Sequence, residues 1–185
     1  GRYDESQIGK INTYEVKFSD LSVEEIATVC GISEKWVRIT NAIQEAINNL
    51  QNGYSLDDLI AELESIGEDN QDALRALSYI RKLRKLRVFG SVTTDIEKLL
   101  KPQHISVVDL SGLDDRVSDY VTFRILSEIY EVAEGQQFAY PVFVFIEEAH
   151  RFVPNKENTL SKRIIKRIAA EGRKFGVFLV LIAQR

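Results

Sequence analysis

Two adjacent carboxylates, Glu147 and Glu148, follow five apolar residues at 142–146. A short run of valine, phenylalanine and isoleucine predicts a strand buried on both faces, as in a parallel sheet. Acids at the carboxyl end of such a strand reach the crevice in which α/β proteins bind ligands. In nucleoside triphosphatases one acid holds Mg²⁺ there and a second orients the attacking water. Many buried strands end in an acid only because the chain reaches solvent, so this pair alone leaves both interpretations open.

Two further polar side chains bear on the same chemistry. Gln184 ends an apolar run at 177–183, and it should converge with the two acids because the tips of adjacent parallel strands line one crevice. A glutamine there can hydrogen-bond a γ-phosphate or the water. Arg173 precedes the run, at the opposite edge or the rim of the sheet, where it can serve its own site or a neighbouring subunit. An arginine stabilises the charge that develops on a transferring phosphoryl group.

Two kinds of site are missing from the sequence. It contains no Gly-x-x-x-x-Gly-Lys-Ser/Thr, and Gly9-Lys10 is followed by Ile11. Without a loop that cradles phosphates, we expect the chain as given not to bind a nucleotide tightly. It also has only two histidines and no His-Glu-x-x-His, and Glu148 lies too close to His150 for an ordinary zinc site.

Composition bounds the class of protein. The 185 residues are 44% hydrophobic, enough for one domain or one and a half. No apolar run is long enough to cross a bilayer, and no signal peptide is visible. The single cysteine, Cys30, excludes an internal disulfide framework and fits a reducing cytoplasm. A net charge of −4 argues against a general polyanion binder, although residues 151–185 carry nine basic residues and two acids, a local +7 (9 − 2).

The periodicity changes along the chain. Residues 14–18 alternate as in a short strand, and residues 22–88 predict a helical bundle with helices at 23–30, 34–51, 56–66 and 70–88. From residue 104 the pattern alternates strand, helix, strand, helix, strand, over 104–110, 114–134, 142–146, 159–174 and 177–183. This alternation predicts an open, mostly parallel α/β sheet with right-handed crossovers.

Two basic segments have competing interpretations. Ala27, Gly31 and Val37 have the spacing of a helix-turn-helix, with Lys35 and Arg38 as DNA-reading candidates, although a plain structural turn fits the same pattern. In the helix at 159–174, one stripe is basic. Its members are Lys162, Arg163, Lys166 and Arg167. A solvated face is the default interpretation of this stripe, and a surface against DNA or an adjacent subunit is the alternative.

Three stretches together resemble the HerA ATPases of the HerA/FtsK superfamily: Val-Val-Asp-Leu-Ser-Gly-Leu at 107–113, Val-Phe-Ile-Glu-Glu-Ala-His-Arg-Phe-Val-Pro at 144–154, and the segment 168–185. The resemblance implies a partial P-loop NTPase of the RecA-like α/β class, with a mostly parallel sheet and an inserted α-helical bundle. The core would comprise residues 1–20 and 101–185, and the insertion residues 21–100. The P-loop would lie upstream of Gly1, and the last strands beyond Arg185.

The resemblance also implies a function. It is that of a hexameric, typically archaeal and cytoplasmic ATPase, which uses ATP and Mg²⁺ to move double-stranded DNA and works with a nuclease partner in end processing. Glu147 would hold the Walker B metal and Glu148 would polarise water. Arg173 would be an arginine finger and Gln184 a sensor of the γ-phosphate. The chain alone would be inactive. The alternatives are a conjugation or secretion ATPase of the same superfamily and a non-enzymatic helix-turn-helix module.

Overall fold

The computed structural model describes residues 9–156 and 158–184. The chain divides into two compact units, Gly1–Thr94 and Asp95–Arg185. The division of the chain into an ATPase core and an insertion, with residues 1–20 assigned to the core, stays a prediction. Among the described residues, no helix is both long and apolar enough to cross a membrane.

Four α-helices dominate the first unit. They are α1 (Val23–Cys30), α2 (Val37–Asn49), α3 (Leu56–Gly67) and α4 (Gln71–Ile80), the last continued by a 3-10 helix over Arg81–Lys85. Polar caps set their starts. Ser22 and Glu25 form a capping box, and Ser55 forms another with Asp58. The helices occur where the periodicity predicts them, with ends shifted by up to three residues, except that α4 ends at Ile80 and not at residue 88.

A short parallel sheet accompanies these helices. It pairs β1 (Val16–Lys17) with β2 (Phe89–Gly90). Val16 is fully buried, and Phe18 makes edge-on ring contacts with Tyr54 and Phe89. Burial raises the pKa of the Cys30 thiol to about 12, so this cysteine is a neutral core residue at ordinary pH.

The helix-turn-helix alternative does not match the geometry between α1 and α2. Gly31 does end α1 in the left-handed region, with φ of 72°. However, residues 31–36 separate the two helices. This connection is longer than the turn of about three to four residues that is usual in the motif. Val37, the third position of the pattern, is 56% exposed. The segment is a structural connection.

The second unit places helices against one face of a two-stranded sheet. After the short α5 (Ile96–Leu99) come α6 (Asp115–Glu134), β3 (Val142–Ile146), α7 (Leu160–Glu171) and β4 (Val177–Leu181). β3 and β4 are parallel, in a register from Val142 opposite Val177 to Ile146 opposite Leu181. Three isoleucines of α7 and two tyrosines of α6 are buried in this unit: Ile164, Ile165, Ile168, Tyr120 and Tyr130.

The prediction that residues 142–146 are buried on both faces of the sheet was wrong for one face. The described part of the chain leaves that face exposed. Val142 and Ile146 are buried, but Phe143 is 59% exposed and Phe145 is 64% exposed. The ring of Phe143 stacks on that of Phe178, with centroids 5.0 Å apart. A run of apolar residues shows that both faces of a strand could be buried, but the elements that pack against the sheet decide which face is covered.

The predicted strand at 104–110 was also wrong. These residues form no strand in the structure, and Ile105 is 94% exposed. Local polar contacts occur instead: the imidazole Nδ1 of His104 lies 2.8 Å from the carbonyl oxygen of Pro102, and the Ser111 backbone N–H donates to the Asp109 carboxylate at 2.9 Å. An apolar run becomes a strand only when a neighbour completes its backbone hydrogen bonds, and no described strand pairs with this one.

Gly172 marks a close approach between α7 and β4. A β-carbon at this position would lie 2.7 Å from Cγ2 of Ile168 and 2.8 Å from the carbonyl oxygen of Val177. The second contact is with backbone, which cannot swing away. Glycine therefore allows the chain to leave α7, pass through the 3-10 helix Gly172–Phe175 and enter β4 within a few residues.

We therefore expect Gly172→Ala to lower the free energy of unfolding by about 1–3 kcal/mol, because an extra methyl group must displace the Val177 backbone. Gly135→Ala is the matched control. Gly135 has an ordinary φ of −72°, and its nearest contact for a β-carbon is 3.4 Å. Urea denaturation followed by circular dichroism measures both. Equal stability of the two variants would contradict the close approach.

Candidate active site at the carboxyl ends of β3 and β4

Ile182 joins the end of β4 to both sides of the acid pair. Its N–H donates to the carbonyl oxygen of Ile146 at 2.9 Å, and its carbonyl oxygen accepts from the N–H of Ala149 at 2.9 Å. The residues between those two contacts, Glu147 and Glu148, are thereby looped out of the backbone ladder. Both carry exposed side chains, so the turn presents two carboxylates at the strand tips.

The backbone of Glu148 is unusual. Its φ of 50° and ψ of 40° lie in the left-handed region, which disfavours side chains other than glycine and asparagine. The surrounding hydrogen bonds hold it there, including the Arg151 N–H to the Glu148 carbonyl oxygen at 2.9 Å. Strained backbone of this kind clusters at functional sites, where it aims a side chain in a direction that regular structure cannot supply.

The structure brings three of the four predicted site residues to one edge of the sheet. Gln184 is exposed and lies two residues past Ile182, a reach of about 7 Å for extended chain from the residue that bonds to both sides of the Glu147–Glu148 turn. Arg173 lies before β4, which alone spans about 13 Å from Val177 to Leu181. It is therefore at the opposite edge and is not brought together with the acids. The chemical roles of all four stay predictions.

A guanidinium group lies next to the turn. Arg151 is in the 3-10 helix Ala149–Arg151, and its Nη1 lies 3.6 Å from Oε2 of Glu148. Its Nε and Nη2 donate to Oδ1 of Asp115, on the first turn of α6, at 3.1 and 2.7 Å. The hydrogen bond to Asp115 raises the pKa of Arg151 above its usual value, so the side chain stays charged.

A buried carboxylate fixes the loop that follows the acid pair. Asp119 of α6 is only 6% exposed and accepts from the N–H groups of Leu160 at 2.8 Å and Ser161 at 3.1 Å, the first residues of α7. The Ser161 hydroxyl also donates to it. The same hydroxyl lies 3.2 Å from the carbonyl oxygen of Phe152, to which the Thr159 hydroxyl donates at 2.8 Å. Asp119 thus ties α6, the start of α7 and the loop after Glu148 together.

Sequence reasoning missed Arg151, Asp115 and Asp119 as parts of this site. The sequence does contain a signal for Arg151. It lies three residues after Glu148 and carries the opposite charge, which favours an ion pair between them. Asp115 and Asp119 carry no such signal, because their partners are 36 and 41 or more residues away. Helical periodicity indicated the apolar side of α6 but not which of its polar residues is buried.

The basic stripe of α7 is partly engaged within this unit. Lys162 donates to the carbonyl oxygen of Pro154 at 2.5 Å. Arg167 lies over the ring of Tyr130 at 4.3 Å and 3.5 Å from Glu134. Arg163 and Lys166 are exposed. Two of the four basic side chains in the stripe therefore make contacts within this unit, so part of the stripe stabilises the fold.

The ligand chemistry of the edge is that of oxygen donors. No group of three or more His, Cys, Asp or Glu side chains that could hold a metal by itself occurs in the described part of the chain. Mg²⁺ does not need one, because it is bound through one or two carboxylates together with water and substrate phosphates. Glu147 and Glu148 therefore fit Mg²⁺ held jointly with a nucleotide better than a protein-only metal site.

Comparison with known proteins identifies the family. Residues 2–129 match the family described as "Helicase HerA, central domain". The chain belongs to the HerA helicase family. The "DNA double-strand break repair helicase HerA" of Sulfolobus acidocaldarius is 31% identical, and that of Saccharolobus solfataricus 28% identical. Both alignments cover 100% of this chain and 43% of the relative.

Two further similarities agree with this assignment. A Methanocaldococcus jannaschii protein named "Probable DNA double-strand break repair helicase HerA" is 49% identical over 152 residues, covering 63% of this chain and 30% of the relative. Among solved structures, VirB4 of Thermoanaerobacter pseudethanolicus matches 96% of this chain and 54% of its own with a TM-score of 0.54 and 15% identity. That likeness concerns the fold, and it confirms the predicted P-loop ATPase class. The chain spans less than half the length of the HerA relatives.

We expect Asp119→Ala to lower the free energy of unfolding by about 2–3 kcal/mol, because it leaves the Leu160 and Ser161 donors buried without their acceptor. Glu131→Ala, on an exposed position of the same helix, is the control and should stay within about 0.5 kcal/mol of the original protein. Chemical denaturation measures both. A cost for Asp119→Ala no larger than the control's would show that the carboxylate does not tie these elements together.

Proposed function

We propose that this chain is the segment of an ATP-driven double-stranded DNA translocase or helicase that carries the metal-binding and water-activating acids. The observation that supports the proposal most directly is the meeting of the Glu147–Glu148 turn with the end of β4 at Ile182. Two carboxylates and the amide of Gln184 at adjacent parallel strand tips are among the groups with which nucleoside triphosphatases bind Mg²⁺ and orient the attacking water.

Each residue has a role in this proposal. Glu147 would hold Mg²⁺ with the nucleotide, since magnesium uses one or two carboxylates and substrate phosphates. Glu148 accepts a proton from the attacking water and orients it. Gln184 hydrogen-bonds the γ-phosphate. Arg173, at the opposite end of β4, acts on the nucleotide of a neighbouring subunit in a homo-hexamer, where its charge stabilises the transferring phosphoryl group.

The names of the relatives support the choice of DNA as the substrate. Four proteins that align with the whole chain carry the name "DNA double-strand break repair helicase HerA". We infer from them a role in processing DNA ends, and the family resemblance adds a cytoplasmic location and a nuclease partner to the proposal. A conjugation or secretion ATPase would share the acid pair, so only a response to the substrate separates that alternative.

We expect Glu148→Gln in the full-length protein to lower kcat for ATP hydrolysis by about 100-fold or more, because the amide cannot accept the proton of the water. ATP affinity should stay within a few-fold, since the nucleotide keeps its other contacts. A coupled phosphate-release assay and equilibrium binding of a fluorescent ATP analogue measure the two quantities.

The control for this substitution is Glu131→Gln, the same chemical change at an exposed position on α6. If the kcat of Glu148→Gln for ATP hydrolysis stays within a few-fold of that of the unsubstituted protein, Glu148 is not the residue that activates the water. Duplex DNA should stimulate the original protein more strongly than single-stranded DNA or no nucleic acid. Stimulation by single strands alone would instead favour the conjugation-type alternative.

For the 185-residue chain by itself we expect no measurable ATP hydrolysis, because its sequence contains no phosphate-cradling loop with a lysine. The same phosphate-release assay at micromolar protein tests this. Robust hydrolysis that Glu148→Gln abolishes would show that phosphate binding in this chain uses a different element.

A further inference from the structure

The guanidinium group of Arg151 joins two carboxylates that belong to different elements. Glu148 lies on the turn after β3, and Asp115 is on the first turn of α6. The arginine makes two short hydrogen bonds to Asp115, at 3.1 and 2.7 Å, and one longer ion pair with Glu148, at 3.6 Å. The tighter contact is therefore the anchor, and the looser one is the contact that can break.

The three side chains differ in how far solvent reaches them. The side chain of Arg151 is 32% exposed, whereas those of Glu148 and Asp115 are 56% and 84% exposed. Part of the arginine packs on its own element, with the guanidinium carbon 5.9 Å from the centre of the Phe152 ring. The arginine is thus the least exposed of the three side chains.

This pairing affects the chemistry expected of Glu148. A general base must lie within hydrogen-bond reach of the proton that it accepts, and a carboxylate held beside a guanidinium has one of its oxygens directed elsewhere. The pairing also directs the carboxylate toward α6. The Glu148 backbone is in the left-handed region, so its side-chain direction depends on the contacts that hold it.

We propose that Arg151, anchored by Asp115, is a positioning residue that holds Glu148 in a resting arrangement, and that ATP hydrolysis requires this ion pair to open. The inference rests on the proposed function, because it concerns the same glutamate. Binding of duplex DNA to the full-length protein favours the open arrangement, so the pair keeps hydrolysis low when no DNA is bound.

The test compares steady-state ATP hydrolysis of the full-length protein with and without duplex DNA. Arg151→Gln should raise the rate without DNA by about fivefold, equivalent to about 1 kcal/mol and within the range of a partly exposed ion pair. The DNA-stimulated kcat and the KM for ATP should stay within twofold, so the stimulation ratio falls. Asp115→Asn, which weakens the anchor, should change the rate in the same direction by less.

Two variants separate this effect from a structural one. Arg151→Lys retains the charge and should restore most of the low resting rate. Arg75→Gln removes an arginine that also pairs with an aspartate three residues away, Asp72 at 3.2 Å, and should leave both rates unchanged. A uniform fall of both rates in Arg151→Gln, or no change in either, would overturn the proposal.

The outcome for Glu148→Gln separates a failure of the proposed function from a failure of the positioning role of Arg151. If Glu148→Gln keeps full turnover, the proposed function itself fails. If Glu148→Gln abolishes turnover but Arg151→Gln does not raise the resting rate, only the positioning role fails. The double variant should be as inactive as Glu148→Gln alone, because an open ion pair has no effect without the carboxylate that it releases.

Discussion

The backbone pairing between the ends of β3 and β4 is the constraint on which the candidate site depends. Ile182 bonds both to Ile146 and to Ala149, which leaves the two glutamates no place in the ladder. The position of the acids is thus decided by main-chain hydrogen bonds rather than by contacts of their own side chains. Substitution of either acid should therefore leave the backbone of the turn in place, because its main-chain hydrogen bonds do not involve the acid side chains.

The parts of the second unit that lie away from the acids support this pairing. Gly172 permits the sharp passage from α7 into β4, so the strand arrives in register with β3. Asp119 fixes the start of α7, and Phe152 connects the same network to the loop after Glu148. The crossover between the two strands is therefore held at its beginning and its end. Its central turns are held by isoleucines packed into the core.

Much of this arrangement was readable from the sequence, because it depends on local signals. The four helices of the first unit followed from their apolar periodicity, and the ladder of β3 and β4 followed from two apolar runs with a helix between them. The common edge for Glu147, Glu148 and Gln184 followed from the rule that parallel strand tips line one crevice. The family resemblance rested on the same residues, and the comparisons confirmed it.

What the sequence could not indicate depends on partners far along the chain. The strand expected at 104–110 needs a neighbour to bond with, and an apolar run does not say whether one is present. The left-handed backbone of Glu148 arises from contacts on both sides of the turn. The link from Arg151 to Asp115 spans 36 residues, so it could be found only once α6 and the turn were placed side by side.

The outward face of β3 and β4 has a practical consequence for anyone who purifies this chain. Phe143 and Phe145 present aromatic rings to water, with Val180 and Ile182 on the neighbouring strand and its extension also exposed. Contiguous apolar surface on a strand pair with which no further described strand pairs is a site where molecules can associate. We expect concentrated samples to self-associate through this face, and arginine or mild detergent in the buffer to reduce the association by covering the rings.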